Sequence, residues 1–349
     1  MKKNSTIQHS IRFEELDSLR GIASIIVVLF HFTMGREQAD YGFNLGVTGV
    51  DLFFIISGFV IFFSLERTKN LKQFFFNRFY RIFPTYWLGV TYTFSVILVY
   101  SLLTKDFSLL DIKQYLVNLT MIQTYFGVKD LDGPYWTMLV ELIFYIYVAF
   151  LYKLKRAFDL VTCLLIAFTL VLVYFFFDSD LIFLFYKVPF IQFTPLFFAG
   201  VVFYKRKMLH LSTLHFVSFI ILCYSAQLLL FKYSGKSSGQ VSFIQYFCML
   251  TIYFSLFYLF VENKLKFLIN KYLIFLGKIS FALYLIHQRV SVNFIIPILT
   301  KKFYLSFFLS SVIALSISII SASIITFYFE KKLVIFIKKV TSLFKNPIF

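Results

Sequence analysis

The sequence predicts an all-α integral membrane protein with about ten transmembrane helices and both termini in the cytoplasm. Of its 349 residues, 60% are apolar and 22% are aromatic, and the mean hydropathy is +0.81, far outside the range of soluble globular proteins. Several apolar runs reach the ~20 residues with which a helix crosses a ~30 Å hydrocarbon core. The alternating pattern of a membrane β-barrel is missing, so helices are the expected spanning elements.

The expected spans are apolar runs separated by short polar or basic connections. The opening stretch "MKKNSTIQHSIRFEELD" is polar and basic, but the run after it lacks a small-residue cleavage site and keeps Arg20. We therefore expect a retained helix rather than a signal peptide, and residues 1–349 as one membrane domain. Within the long connection 105–135, the part "DIKQYLVNLTMIQTYFG" is expected to form an interfacial or re-entrant helix. The candidate spans are 17–35, 46–65, 84–104, 136–153, 158–177, 188–204, 212–232, 242–261, 272–298 and 303–328.

The net charge of +17 has a distribution typical of membrane topology rather than of nucleic-acid binding. Placing both termini and the basic clusters at 66–83, 153–156, 205–207 and 264–278 on one side gathers 24 of the 34 lysines and arginines there. By the positive-inside rule, that side is the cytoplasm. We expect no nucleic-acid partner, and no metal either, because the three cysteines lack the spacing of a zinc site.

The first span carries two ionisable residues, Arg20 and His31, within "SLRGIASIIVVLFHF". Their separation corresponds to about 1,100° of helical rotation, roughly 20° beyond three turns, so both lie on one face, about 16 Å apart. Arg20 can reach the cytoplasmic interface, whereas His31 is expected in the outer half of the membrane. The spacing leaves two interpretations open: an anchor with a hydrogen-bonded core histidine, or a pair that faces a cavity.

Two further stretches carry polar residues at or near expected spans. In "GVTGVDLFFIISGFVIF", Asp51 lies near the outer end and Ser57 in the middle; the glycines of this stretch favour close helix packing, and Asp51 is a candidate for supporting a site. In "NRFYRIFPTYW", Arg78 and Arg81 are three residues apart on one helix face, just before Pro84, which is expected to open the next span. Their planar guanidinium groups suit phosphates, although lipid headgroup contact explains them as well.

The stretch "DGPYWTMLVELIFYIY" places a carboxylate, Glu141, inside a span that begins near Trp136. An unpaired carboxylate at that depth would cost several kcal/mol, so it must be protonated, paired or facing water. Glu141 and His31 are expected at similar depth, where a carboxylate can orient a catalytic base. The preceding Tyr135 and Trp136 are candidates for stacking against a sugar ring.

The stretch "LGKISFALYLIHQRV" places Ser280, Tyr284 and His287 on one helix face. A polar contact between helices explains these residues as well as catalysis does. The sequence lacks a GxSxG elbow, a Walker A loop and an HExxH motif.

Taken in order, these stretches resemble the membrane-bound acyltransferase 3 family, which modifies surface polysaccharides and related envelope molecules. The resemblance extends from Leu16 to His287, with Met138 and Phe281 where leucine and tyrosine are expected. The soluble esterase-like domain fused to some members is not expected here. The stretches that carry the resemblance are "LDSLRGIASIIVVLFH" with its Arg-x10-His spacing, "GVDLFFIISGF", Arg78-x-x-Arg81 before "FPTYW", "WTMLVELIFY" and "ISFALYLIH".

The resemblance implies an acyltransferase of the bacterial cytoplasmic (inner) membrane that moves an acyl group, most often acetyl, from cytoplasmic acyl-CoA to a sugar hydroxyl. The acceptor implied is O-antigen or another lipid-linked polysaccharide, and acetyl-CoA serves as co-substrate rather than as a bound cofactor. A second transfer step would need a separate envelope partner. The implied roles are catalysis by His31 and Glu141, acyl-CoA binding by Arg20, Arg78 and Arg81, and acceptor binding or support by Asp51, Ser57, Tyr135, Trp136, Ser280, Tyr284 and His287.

Two other function classes stay open at this point. A transporter would use His31, Glu141 and His287 as a proton relay and the arginines to admit an anionic substrate. A purely structural envelope protein would not need ionisable groups inside the membrane. His31 itself has two possible roles, as general base or as transient carrier of the acyl group.

Overall fold

The computed structural model describes residues 12–153, 189–233 and 241–343, and every regular element within those ranges is helical. The all-α class is therefore confirmed for this part of the chain. The predicted span 158–177 lies outside the described residues. The helices are α1 Glu14–Thr33, α2 Gly49–Glu66, α3 Leu71–Thr104, α4 Ile112–Asn118, α5 Trp136–Lys153, α6 Thr194–Leu209, α7 Thr213–Leu229, α8 Phe243–Val261, α9 Lys271–Ile286, α10 Gln288–Lys301, α11 Phe307–Ile324 and α12 Lys331–Leu343.

Among the described residues, six helical stretches are long and apolar enough to cross a membrane, and the bent pair α9–α10 would make a seventh. Helices α6 and α7 contain 16 and 17 residues and are shorter than these spans. The total of ten spans stays a prediction. The six stretches are Glu14–Thr33, Phe43–Glu66, Leu71–Thr104, Gly133–Lys153, Phe243–Val261 and Phe307–Ser342.

Helix α3 begins earlier than the sequence predicts, at Leu71 rather than near Pro84. Its first turn is capped by Asn70, whose side chain accepts a hydrogen bond from the backbone of Gln73. Pro84 removes one backbone hydrogen bond but does not end the helix. An aromatic row, in which the ring centroids of Phe79 and Phe83 are 4.7 Å apart and Trp87 follows, packs across the proline position. Arg78 and Arg81 consequently lie on a continuous helix.

The last predicted span also continues further than expected. Helix α11 passes through a π-helical segment, Ile325–Glu330, directly into α12. The predicted span ends at residue 328, shortly before Lys331 and Lys332. Those lysines instead belong to an amphipathic helix that lies beside the start of α3.

Helices α1 and α9 run parallel and pack closely, and this pair positions the polar residues of both. Gly21 and Gly277 lie at the contact, where a Cβ on Gly277 would collide with the backbone carbonyl of Asp17. Only glycine permits this approach. Further along the same contact, His31 of α1 meets His287 directly after α9. The separation of 256 residues between the two histidines is also that between Gly21 and Gly277, so the register is constant over about three turns.

Candidate active site

An internal cavity of about 110 Å³ lies among α1, α2, α3, α5 and α9. It is several times larger than the ~10–15 Å³ needed for one water molecule. The helices that enclose it are those whose polar residues the sequence singles out. The structure brings seven of these residues to its wall: Arg20, Ser57, Arg78, Arg81, Glu141, Ser280 and Tyr284.

Three arginines gather at one end of the cavity. Arg20 lies 3.7 Å from Asp17 on its own helix, and Arg81 lies 3.7 Å from Glu330 at the end of the π-helical segment. Arg78 donates from Nη2 to the hydroxyl of Ser64 at 2.9 Å. Its buried Nε has no hydrogen-bond partner among the described residues. This end is cationic and keeps donor groups for an anion.

Glu141 lines the same cavity as the three arginines and Tyr284. Its Oε1 accepts a hydrogen bond from Tyr145 at 2.5 Å and one from Ser57 at 3.4 Å, and its charge also acts on Arg20. The predicted pairing of Glu141 with His31 is wrong, because the hydrogen-bond partner of the histidine is His287. An expected depth in the membrane does not determine which helices are neighbours: α1 packs closely on α9, which brings His31 to His287. Glu141 instead balances the arginine end.

The deeper wall connects the cavity to the histidines. Tyr284 lines the cavity, and its ring centroid lies 5.8 Å from that of His287. Neither histidine is among the residues of the cavity wall, so Tyr284 separates the open space from them. Met138 and Phe281, the two departures from the expected motifs, also line the cavity. They shape the wall without adding charge.

His31 and His287 form a direct side-chain contact. The Nδ1 of His31 and the Nε2 of His287 are 2.8 Å apart. The Nδ1 of His287 faces two backbone carbonyl oxygens, those of Tyr284 at 2.8 Å and Leu283 at 3.1 Å. A carbonyl oxygen only accepts, so this nitrogen carries the proton, and the Nε2 of a neutral His287 must accept.

That arrangement fixes the tautomer of His31. Its Nδ1 donates to His287, which leaves the lone pair on Nε2 of His31. His287 is fully buried, whereas His31 is half-buried. His287 therefore holds the imidazole of His31 in the tautomer that has its lone pair on Nε2.

Besides the two histidines, three predicted site residues lie away from the cavity wall. Asp51 is buried beside α8, where it accepts a hydrogen bond from Tyr246. Tyr135 is fully buried against Tyr86, with ring centroids 5.2 Å apart, so stacking of its ring on a sugar is not available in this structure. Trp136 is 36% exposed and packs on Phe193. Consecutive residues at a helix start point in different directions, which separates the Tyr135–Trp136 pair.

Sequence reasoning missed a clasp between the connection before α5 and the bend after His287. The Oδ1 of Asp132 accepts a hydrogen bond from the backbone of Arg289 at 2.9 Å, and Arg289 Nη1 donates to the carbonyl of Leu131 at 3.0 Å. Helices α9 and α10 meet here at 63°. At the bend, the backbone N–H of Arg289 donates to the Asp132 side chain instead of to a helical carbonyl. The clasp therefore fixes the backbone around His287. Burial raises the pKa of Asp132 to about 7, although the hydrogen bonds that it accepts from the backbone of Arg289 and Gly133 lower the pKa.

The sequence contains a repeated spacing, not used in the prediction, that could have indicated the histidine pair. Both helices contain Gly-x2-Ser-x6-His, as Gly21–Ser24–His31 and as Gly277–Ser280–His287. Each serine donates to the carbonyl of its glycine at 2.8 Å. Matching spacing on two helices is what a parallel pair in constant register produces.

No cluster of three or more histidine, cysteine or acidic residues able to hold a metal ion occurs within residues 12–153, 189–233 and 241–343.

Comparison with known proteins relates the chain to acyltransferases. The sequence profile of the acyltransferase 3 family, described as an acyltransferase domain, matches residues 13–328. This range includes all the residues of the cavity wall and both histidines. No solved structure is significantly similar to the chain.

Three relatives illustrate the range of similarity. ORF330 of Acidianus two-tailed virus, whose name gives it as an acetyltransferase, is 26% identical over 300 residues, which cover 82% of this chain and 86% of the relative. The acyltransferase MdmB of Streptomyces mycarofaciens is 25% identical, with 42% of this chain and 41% of the relative covered. The exopolysaccharide production protein ExoZ of Rhizobium meliloti is 40% identical over 63 residues, 18% of this chain and 19% of the relative.

Proposed function

The chain belongs to the acyltransferase 3 family and is a membrane acyltransferase, and we propose that it moves an acetyl group from acetyl-CoA to a hydroxyl of a cell-surface glycan. One observation carries the proposal: a single cavity has three arginines at one end and, at the other, Tyr284 in contact with the His31–His287 pair. A cationic entrance and a positioned base are the two parts that transfer from a phosphorylated thioester donor requires.

The arginine end receives the donor. Acyl-CoA carries its phosphates at the end opposite the thioester, so the phosphates bind at Arg20, Arg78 and Arg81 while the pantetheine arm enters the cavity. The free Nε of Arg78 offers a donor that no described residue uses. Glu141, held by Tyr145 and Ser57, balances the arginine charge and keeps these side chains in place.

The histidine end carries the reaction. The Nε2 of His31 takes the proton of the acceptor hydroxyl as its oxygen attacks the thioester carbonyl; the carbon–sulfur bond then breaks, and the leaving sulfur receives that proton. The same lone pair would attack the thioester if His31 carried the acetyl group before passing it on. In both routes His287 acts through His31 as a positioning residue. Tyr284 must move aside for either substrate to reach Nε2.

The acceptor side of the proposal rests on chemistry and on a relative. The name of ExoZ refers to exopolysaccharide production, which supports a glycan acceptor such as O-antigen or another lipid-linked polysaccharide. The proposal places the protein in the bacterial cytoplasmic membrane, with ten spans, both termini in the cytoplasm and the arginine end on the cytoplasmic side. A separate envelope protein would take part in any second transfer.

Proteoliposomes test the proposal. Purified protein is incubated with acetyl-CoA labelled in the acetyl group and with a lipid-linked saccharide extract from the producing cells. The expected result is label in the saccharide fraction, with the added acetyl signal in its NMR spectrum. Accumulation of label inside the vesicles without a labelled saccharide would instead show transport and would overturn the proposal.

A further inference from the structure

We infer that the groove between α3 and α12 binds the nucleotide end of the acyl-CoA donor, with its 3′-phosphate and diphosphate. The inference rests on the proposed function and adds to it the residues that recognise this part of the donor. The groove has a volume of about 630 Å³ and is lined by Arg78, Arg81, Lys331 and Lys338, among others.

The groove continues from the cavity of the active site. Arg78 and Arg81 line both, so a ligand whose thioester lies in the cavity leads its other end past these residues into the groove. Arg81 is half exposed, and its ion pair with Glu330 at 3.7 Å leaves most of its donors available. Acyl-CoA is a long ligand that needs such a second compartment.

The charge of the region suits phosphates. A second surface groove, which also contains Arg81, Glu330 and Lys331, adjoins the first. Together the two grooves are lined by seven cationic side chains and two carboxylates, Asp17 and Glu330. A phosphate monoester carries about −1.5 to −2 charges at neutral pH, and a diphosphate adds to it. The cationic residues are Arg12, Arg20, Arg78, Arg81, Lys278, Lys331 and Lys338.

Helix α12 is fixed on α3 by specific contacts. Tyr80 and Thr341 share a hydrogen bond of 2.8 Å between hydroxyl oxygens, and Lys338 Nζ lies 5.3 Å from the centroid of the Tyr80 ring. Lys331 and Lys338 are seven residues apart, on the helix face that borders the groove. Lys332 and Lys339 are on the same helix but are not part of the groove lining.

The lysines inside and outside the groove lining make it possible to distinguish a bound nucleotide from anionic lipid headgroups as the source of phosphate. Anionic lipid headgroups would attract all exposed lysines of an amphipathic basic helix at the membrane surface. A nucleotide in the groove contacts only the lysines that line it.

Steady-state kinetics with two donors test the inference. Lys331→Glu and Lys338→Glu are compared with the matched variants Lys332→Glu and Lys339→Glu, in nanodiscs of zwitterionic lipid. The donors are acetyl-CoA and acetyl-pantetheine, which lacks the nucleotide. We expect the groove variants to raise KM for acetyl-CoA by about tenfold each, as the loss of one charge-assisted contact implies. The KM for acetyl-pantetheine and both control variants should stay as in the wild type.

Other outcomes overturn the inference in distinguishable ways. Equal changes for all four lysines, or changes that occur only in discs with anionic lipid, would assign the helix to lipid headgroups. Unchanged kinetics in every variant, with an active wild type, would remove the groove from donor binding and leave the proposed function intact. A wild type that uses neither donor would overturn the proposed function itself.

Discussion

The two ends of the cavity differ in how they are built. At the arginine end, three guanidinium groups line the same cavity, and Arg81 is half exposed with a carboxylate 3.7 Å away. At the histidine end, one hydrogen bond of 2.8 Å joins two rings, one of which is fully buried and held by backbone carbonyls. The arginine end therefore contains three similar charged groups, whereas the histidine end depends on a single hydrogen bond between two side chains.

This difference predicts that activity declines by small steps when single arginines are replaced and falls sharply when a histidine is replaced. Electrostatic binding by several exposed cations declines in steps, because water and neighbouring charges screen each one. A base that one partner holds in one tautomer should lose much of its rate when the partner is removed, and more when the base itself is removed.

Replacing His31 removes the base and should abolish transfer. We expect His31→Ala to lower kcat by about 10²–10⁴-fold, the usual contribution of a general base. His215→Ala is the matched control, since His215 lies at the exposed start of α7 beside Ser212. Activity is measured as label transferred from acetyl-CoA at equal protein abundance in the membrane. Retained activity in His31→Ala would place the base elsewhere.

Replacing His287 should cost less than replacing His31. His287→Ala leaves His31 in place but removes its acceptor, and we expect a loss of about 10–100-fold in kcat, as for partners that orient functional histidines. His287→Gln offers an amide oxygen as acceptor and should recover part of the rate. If Gln and Ala were equally inactive while the protein stayed folded, hydrogen bonding to His31 would not be the role of this residue.

Replacing an arginine should affect donor binding rather than the reaction. We expect Arg78→Ala to raise KM for acetyl-CoA by about tenfold and Arg81→Ala by less, because contacts of exposed charges contribute less than those of buried ones. Arg206→Ala, which loses a cation bonded to Leu211 outside the cavity, is the control. An unchanged KM in Arg78→Ala would contradict a phosphate-binding role.

The Asp132 clasp should give the smallest effect, a pH dependence of stability. Its folded pKa of about 7 lies above the reference value of 3.8, so the folded chain keeps a proton that the unfolded chain releases. The free energy of unfolding therefore falls as the pH rises from about 4 to about 7 and levels off above. Asp132→Asn keeps an acceptor for Arg289 and should reduce the difference in Tm between pH 5 and pH 8. An identical pH profile in both proteins would contradict the burial argument.

Much of the site could be predicted from the sequence because helical spacing is a local property. Arg20 and His31 are on α1, Arg78 and Arg81 of α3 line one cavity, and Ser280 and Tyr284 of α9 line the same cavity just before His287. These relations hold between residues of one helix, so they can be predicted without knowing which helices pack beside it.

The partners across helices could not be derived in the same way. His31 and His287 lie 256 residues apart, and only the close packing of Gly21 against α9 brings them together. Depth alone suggested Glu141 as the partner, but depth does not say which helices are neighbours. The repeated Gly-x2-Ser-x6-His spacing contained this information, since equal spacing on two helices allows contact in one register.

The boundaries of helices were missed where tertiary contacts override a local signal. Pro84 usually marks a helix start, yet the Asn70 cap and the aromatic row through Phe83 extend α3 on both sides of it. The lysines after residue 330 usually mark the end of a span, yet they belong to a continuing helix, on which Lys331 and Lys338 line a groove.

The central claim is that His287 acts only through His31, and the kcat of the double variant His31→Ala/His287→Ala tests it most directly. If the two residues form one unit, removing His287 costs nothing further once His31 is gone, and the double variant is as slow as His31→Ala alone. If the losses of the two single variants multiply, His287 contributes independently, and the assignment of a base and its holder is contradicted.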